Sequence, residues 1–207
     1  MKKLLVAIGV AALSTGAMAQ YSAGSIFQDI STGNYYQLFS GSANWNTANT
    51  YAATLSHNGY QGHLATVTSQ AETNYLVTTF GGSTLADKSI GGIQAAGSLS
   101  RDSGWSWVTG ETWDYSFWNS GEPNDNYSPT EQGFENALQF AHNNLDGSWN
   151  DIPFNSYSPN GFLVEYSAPQ NPSNNAVPEP SEWAAMGLLG TGLLGLVVRG
   201  RKKKLAN

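Results

Sequence analysis

The sequence predicts an α+β domain in which two helices lead into a loop-rich antiparallel sheet. Between Trp45 and Phe80, apolar residues recur at helical spacing. Beyond Ile90 that period disappears, and Trp105, Trp107, Tyr115, Phe117 and Trp118 stand among Gly, Ser, Asn and Asp, the pattern of short strands joined by long ordered loops. Composition agrees: 40% hydrophobic but only 12% charged, with 23 glycines, it suits strands and turns better than helical bundles.

Residues 1–19 have the three parts of a secretory signal: Lys2-Lys3, an apolar run from Leu4 to Leu13, and the small-residue ending Ala17-Met18-Ala19. The run is short for a bilayer span, so cleavage after Ala19 is expected rather than a buried helix. Residues 20–33 form a lead-in, and Tyr35 to Phe39 is a first aromatic strand. Trp45, Ala48, Ala52 and Leu55 then mark one face of a helix. Ser69, with Glu72 three residues on, announces a second helix through a capping box; it ends at Gly81-Gly82 and would bury Ala71, Tyr75, Leu76 and Phe80. Ala137-Leu138-Gln139-Phe140 and Phe162 to Tyr166 are later strands, the last returning the chain to its beginning.

With 207 residues there is room for one well-cored domain and terminal extras. Past Ser167 the composition turns to Pro, Asn and Ser, which reads as a linker over 168–176. Cysteine is absent, so an exported domain must hold without disulfides. The formal charge of -6 hides an asymmetry: Lys88 and Arg101 are the basic residues of the central region, against thirteen acids. So acidic a surface repels phosphate backbones and gains by holding a cation, which argues against a nucleic-acid partner.

Two polar clusters stand out, Glu122-Pro123-Asn124 and Trp149-Asn150-Asp151. Each gathers side-chain oxygens beside turn-forming residues, the donor type that hard cations such as calcium select. Either cluster alone favours the plainer reading, a polar turn at Glu-Pro-Asn and an Asx turn at a strand end at Trp149-Asn150-Asp151.

The ordered set of features resembles the C-type lectin-like domain across residues 34–167. It runs from Trp45, Ala48 and Tyr51 through Gly62-His63-Leu64-Ala65, Ser69 with Glu72, and Ile90-Gly91 to Trp105-Ser106-Trp107-Val108-Thr109-Gly110. Trp118, Gly121-Glu122-Pro123-Asn124, Gly147-Ser148-Trp149-Asn150-Asp151 and Phe162-Leu163-Val164-Glu165 complete it. The resemblance implies the C-type lectin-like fold, two helices with short antiparallel strands and long ordered loops. It places Ala52 with Val164, and Ala137 with Phe154, where the family has its disulfides; apolar packing would replace covalent closure.

The resemblance also implies a calcium site made by Glu122, Asn124, Glu135, Asn150 and Asp151, with Pro123 following a cis bond. Two places in the coordination shell would remain for adjacent sugar hydroxyls, with Glu122, Asn124, Glu135 and Asn150 also bonding the sugar. The Glu-Pro-Asn order resembles the mannose, glucose or fucose class. Glu131 competes with Glu135 as third carboxylate, because the segment from Asp125 to Gln132 is longer than usual; the spacing to Ala137 favours Glu135. Asp125 matches one ligand of an auxiliary calcium site, but Gln94-Ala95-Ala96 supplies no acids for it. Tyr127 could stack on a sugar face or simply cap its loop. Trp105, Trp107, Trp118 and Trp149 read as core.

An enzyme is not expected. Glycosidase carboxylates need one acid kept protonated in an apolar pocket, whereas acids around a cation stay ionised. His57, His63 and His142 lack ligand spacing, and there is no cysteine nucleophile. Residues 177–207 resemble a PEP-CTERM sorting signal: Val177-Pro178-Glu179-Pro180, an apolar run over 183–198, and a basic stop over 199–204. This implies transient inner-membrane anchoring and processing by an exosortase-like enzyme, then delivery to the cell surface or extracellular matrix; a retained anchor is the alternative. The expected function is secreted, calcium-dependent carbohydrate binding. The alternative is a structural or protein-binding domain of the same fold, in which calcium only rigidifies the loops.

Overall fold

The computed structural model describes residues 21–98, 100–126 and 135–168, all within one compact unit, Met1–Gln170. The expectations for the signal segment, Tyr127, Glu131, nearly all of the linker and the sorting tail lie outside the described residues.

Strand β1 (Ser22–Gln28) pairs antiparallel with β2 (Tyr35–Ser40) through a turn closed by Asp29, whose carboxylate accepts from the Ser31 amide at 2.8 Å. The lead-in 20–33 therefore contributes a strand to the sheet. Helix α1 (Trp45–Ala52) begins at Asn44, whose side chain accepts from the Thr47 amide. It is shorter than the spacing to Leu55 suggests, because the chain tightens to three-residue turns, Thr54 N to Tyr51 O and Leu55 N to Ala52 O. Strands β3 (Ser56–His57) and β4 (Tyr60–Leu64) form a hairpin.

Helix α2 (Gln70–Phe80) has the expected Ser69 cap on the Glu72 amide. Its buried face differs from expectation: Leu76 is buried and Tyr75 and Phe80 partly so, but Ala71 is exposed while Glu72 and Thr73 are buried. The Glu72 carboxylate turns inward, accepting from Tyr36 Oη at 2.7 Å and from the Thr68 amide at 2.8 Å. A short helix α3 (Gly82–Leu85) follows directly. Gly82 is required there, since a Cβ would lie 1.8 Å from the Leu145 carbonyl oxygen.

The remaining strands are β5 (Ser89–Gln94), β6 (Trp105–Trp107), β7 (Ala137–Phe140), β8 (Trp149–Ile152) and β9 (Gly161–Tyr166). The sheet order is β1-β2-β9-β5-β7-β8, with β4 on β9 and β6 on β5. Strand β9 pairs antiparallel along all of β2, which brings the end of the domain back to its start.

Two apolar clusters fill the interior. In one, Trp107 and Trp149 stack edge to face among Trp105, Ile90, Leu138 and Leu76. The other holds Trp45, whose indole donates to the Ile90 carbonyl at 2.7 Å, with Phe39 stacked on Phe162. Ala52, Val164 and Ala137 are fully buried in this second cluster and Phe154 packs against it. These apolar contacts occupy the four positions assigned to missing cysteines.

Candidate functional site

The site lies where β7 and β8 end beside the loop that contains Pro123. Ladder pairing sets Leu138 opposite Asp151 and Gln139 opposite Asn150. Beneath them Trp149 is fully buried against Trp107, Trp113, Tyr115 and Trp118, so Asn150 and Asp151 leave a rigid base. The loop joins the base directly: Asn119 N donates to Trp149 O at 2.9 Å, and Glu122 N to Asn119 O. The Glu122-Pro123 peptide is cis, as the resemblance implied.

Asp151, 1% exposed, organises the loop. Its Oδ1 accepts from the Asn124 amide at 3.0 Å and its Oδ2 from the Asp125 amide at 3.0 Å. Glu135 Oε2 accepts from the Asn126 amide at 2.8 Å, and the Glu135 amide donates to Asp125 Oδ1 at 3.2 Å. Asn124 Oδ1 accepts from Asn126 N, and the Asn150 side chain donates to the Asp151 carbonyl at 2.7 Å.

Electrostatics bind the carboxyls into one group. Burial, and next the Asp151 charge, push Glu122 up to about 7; the same two causes push Glu135 up to about 7, with Glu122 adding to it. Asp151 is raised by burial, against the pull of the backbone amides it accepts from. Three acids that oppose one another's ionisation are the donor chemistry a hard divalent cation relieves. Glu122 Oε2 is also buried, without a hydrogen-bond partner among the described residues.

Placement is less complete than chemistry. Among the described residues, no three His, Cys, Asp or Glu side chains stand close enough to hold a metal ion as they are. Asp151 and Glu135 instead close the loop on its own amides, and Asn124 Oδ1 accepts locally from Asn126 N, while Asn150 engages its Nδ2 on the Asp151 carbonyl. The residues fit a calcium ion in donor type and in mutual repulsion; convergence requires these side chains to turn from the backbone.

Sequence reasoning overlooked Arg101, whose guanidinium donates to the Asn124 carbonyl at 3.0 Å and opposes the repulsion on Glu122. The signal available was its scarcity as a basic residue in the central region. Gln94, considered only as a failed auxiliary ligand, is buried and donates to three carbonyls of the segment that carries Arg101. The three histidines form no cluster: His63 bonds Leu64 O and Ser167 Oγ, His142 pairs with Asp87, and His57 packs on Tyr35.

Residues 176–202 match the PEP-CTERM protein-sorting motif. The chain is 34% identical over 154 residues to Halomucin of Haloquadratum walsbyi, an alignment covering 69% of this chain and 2% of that protein. It is 32% identical over 123 residues to C-type lectin domain family 4 member G of Mus musculus, covering 58% of this chain and 35% of the relative. The chain thus spans far less than two thirds of either relative. Among solved structures, the C-type lectin CEL-I from Cucumaria echinata superposes with a TM-score of 0.51 at 22% identity, covering 65% of this chain and 90% of the lectin. The domain has the C-type lectin-like fold, and the chain carries a PEP-CTERM sorting tail.

Proposed function

We propose that the protein is a secreted carbohydrate-binding module that uses one calcium ion, held by Glu122, Asn124, Glu135, Asn150 and Asp151, and catalyses no reaction. The observation that carries the reading is Asp151: from β8 it bonds the backbone of Asn124 and Asp125, while Glu135 bonds Asn126, so carboxylates from two other stretches are tied to the loop that carries Glu122 and Asn124. Likeness to carbohydrate-binding lectins in fold and in sequence supports the sugar.

When bound, calcium supplies coordination positions that two adjacent hydroxyls of a sugar can fill. The chain's own residues do the rest. Glu122 and Glu135 accept the hydroxyl protons, and the amides of Asn124 and Asn150 donate to the hydroxyl lone pairs. The buried tryptophans hold the backbone of Asn150 and Asp151, so only the carboxylates of Glu135 and Asp151 would turn from the loop amides to hold the ion. The Glu-Pro-Asn order favours mannose, glucose or fucose. A single such site binds a monosaccharide at about millimolar strength, near -4 kcal/mol, so adhesion needs several copies. Tyr127 is a stacking candidate for the sugar's apolar face.

The remaining organisation follows the sequence expectations: export by residues 1–19, a transient inner-membrane anchor at 183–198, processing by an exosortase-like enzyme, and a final place on the cell surface or in the matrix. A second reading, a protein-binding or purely structural domain, is favoured by one observation: the loop is already closed by its own hydrogen bonds. Equilibrium dialysis with labelled calcium, followed by glycan-array binding with and without chelator, separates them. Calcium uptake with chelator-sensitive glycan signal supports the lectin; calcium uptake without glycan signal supports the second reading.

A further inference from the structure

We infer that Arg101, pinned by Gln94, is a positioning residue that holds the Asn124-Asp125 peptide in place at the site; only its bearing on calcium rests on the function proposed above. Gln94 ends β5 and is 2% exposed. Its Nε2 donates to the carbonyls of Ser100 at 3.0 Å, Arg101 at 3.0 Å and Ser103 at 2.8 Å. Turned the other way, the amide would set an oxygen against three carbonyl oxygens, so its orientation is dictated by its surroundings. The Arg101 carbonyl also accepts from the buried Trp105 indole at 2.8 Å. An exposed arginine thus rises from an immobile backbone.

From there Arg101 Nη1 reaches the Asn124 carbonyl at 3.0 Å. The amide on the other side of that peptide bond, Asp125 N, donates to Asp151 Oδ2 at 3.0 Å. The carbonyl and N–H of a trans peptide point in opposite directions, so one peptide plane is held from both sides. Asp125 has a φ of 51°, a region an L-residue occupies sparsely, and the two-sided hold keeps it there. Turning this plane would withdraw the Asp125 amide from Asp151. Were Asp151 to swing away toward an ion, Arg101 would remain as the restraint on the loop. The other basic residue of the central region, Lys88, bonds Asn160 and plays no part.

The test is amide hydrogen exchange in the full chain with chelator present, read at residues 124–126. Arg101→Met should speed exchange there about tenfold, and Arg101→Lys by less, since lysine keeps a donor. Gln94→Leu should match Arg101→Met and add nothing to it in the double variant. Unchanged exchange in Arg101→Met overturns the inference, and equal effects of Gln94→Leu in both backgrounds overturn the role of Gln94. Should Gln94→Leu fail to fold, the exposed Arg101 variants decide the matter. The same cycle on the calcium dissociation constant cancels the charge removed with Arg101: the loss caused by Gln94→Leu should shrink to less than about twofold in Arg101→Met. A wild-type chain that takes no calcium, while Arg101→Met still loosens 124–126, defeats the calcium reading and upholds the positioning role.

Discussion

Asp125 and Glu135 brace one another across the residues between them: the Glu135 amide donates to the Asp125 carboxylate at 3.2 Å, while the Glu135 carboxylate accepts from Asn126, next to Asp125, at 2.8 Å. Glu135 therefore closes the loop through its carboxylate, and in the proposed site the same group would offer an oxygen to the ion.

Glu135→Gln separates those roles. Neutralising a carboxyl that burial and Asp151 hold at about 7 relieves repulsion in the chelated protein, by about 1 kcal/mol after allowance for solvent, or about 2–4 °C in melting temperature. The same change should weaken calcium binding at least about tenfold. Melting curves in chelator and calcium titrations measure both; a lower chelated melting temperature would contradict the repulsion.

Proton linkage gives a second test. Glu122 and Glu135 stand at about 7 in the ion-free fold, above the ordinary glutamate value of about 4.3. Over that interval the fold binds more protons than the unfolded chain, so its stability falls as pH rises through about 7. The chelated protein should melt higher at about pH 5.5 than at about pH 8 through these groups, and calcium affinity should rise with pH over the same range, as the ion displaces protons.

Glu165, far from the loop, tests the scaffold. Its oxygens accept from Asn34 Nδ2 at 2.8 Å and from the Thr66 amide at 3.0 Å, and full burial, ahead of the Glu72 charge, raises its carboxyl well above the usual range. Glu165→Ala leaves both donors unpaired and should cost about 3 kcal/mol in urea unfolding. Because the folded value is raised, the wild-type contribution is full below about pH 4.3 and is lost as pH rises through the raised value; the variant should lack that decline.

Trp149→Ala should cost about 3 to 5 kcal/mol and also release Asn150 and Asp151 from their base. Loss of tryptophan fluorescence from the Trp107 cluster, with loss of calcium uptake, would report both effects.

The helices were legible because their signals are local: Ser69, next to the first residue of α2, accepts from the Glu72 amide three residues on, and α1 carries its apolar face at helical spacing. Strand β1 was not, because an exposed edge strand carries no alternating apolar pattern to read. Glu72 was read only as a capping partner of Ser69; its burial depends on Tyr36 and Thr68, partners that periodicity does not reveal. At the candidate site, the acids were proposed from motif order, which carries no sign of their hydrogen bonding to loop amides. Arg101 was missed for the same reason, since its contact spans 23 positions and follows from how β5 and β6 place the intervening loop.

The central claim is that Asp151 anchors a calcium site, and calorimetric titration of the full chain and of Asp151→Asn with calcium tests it most directly. The account predicts one ion bound per wild-type chain and at least about a hundredfold loss in the variant. No calcium uptake by the wild type, or equal uptake by both, would contradict it.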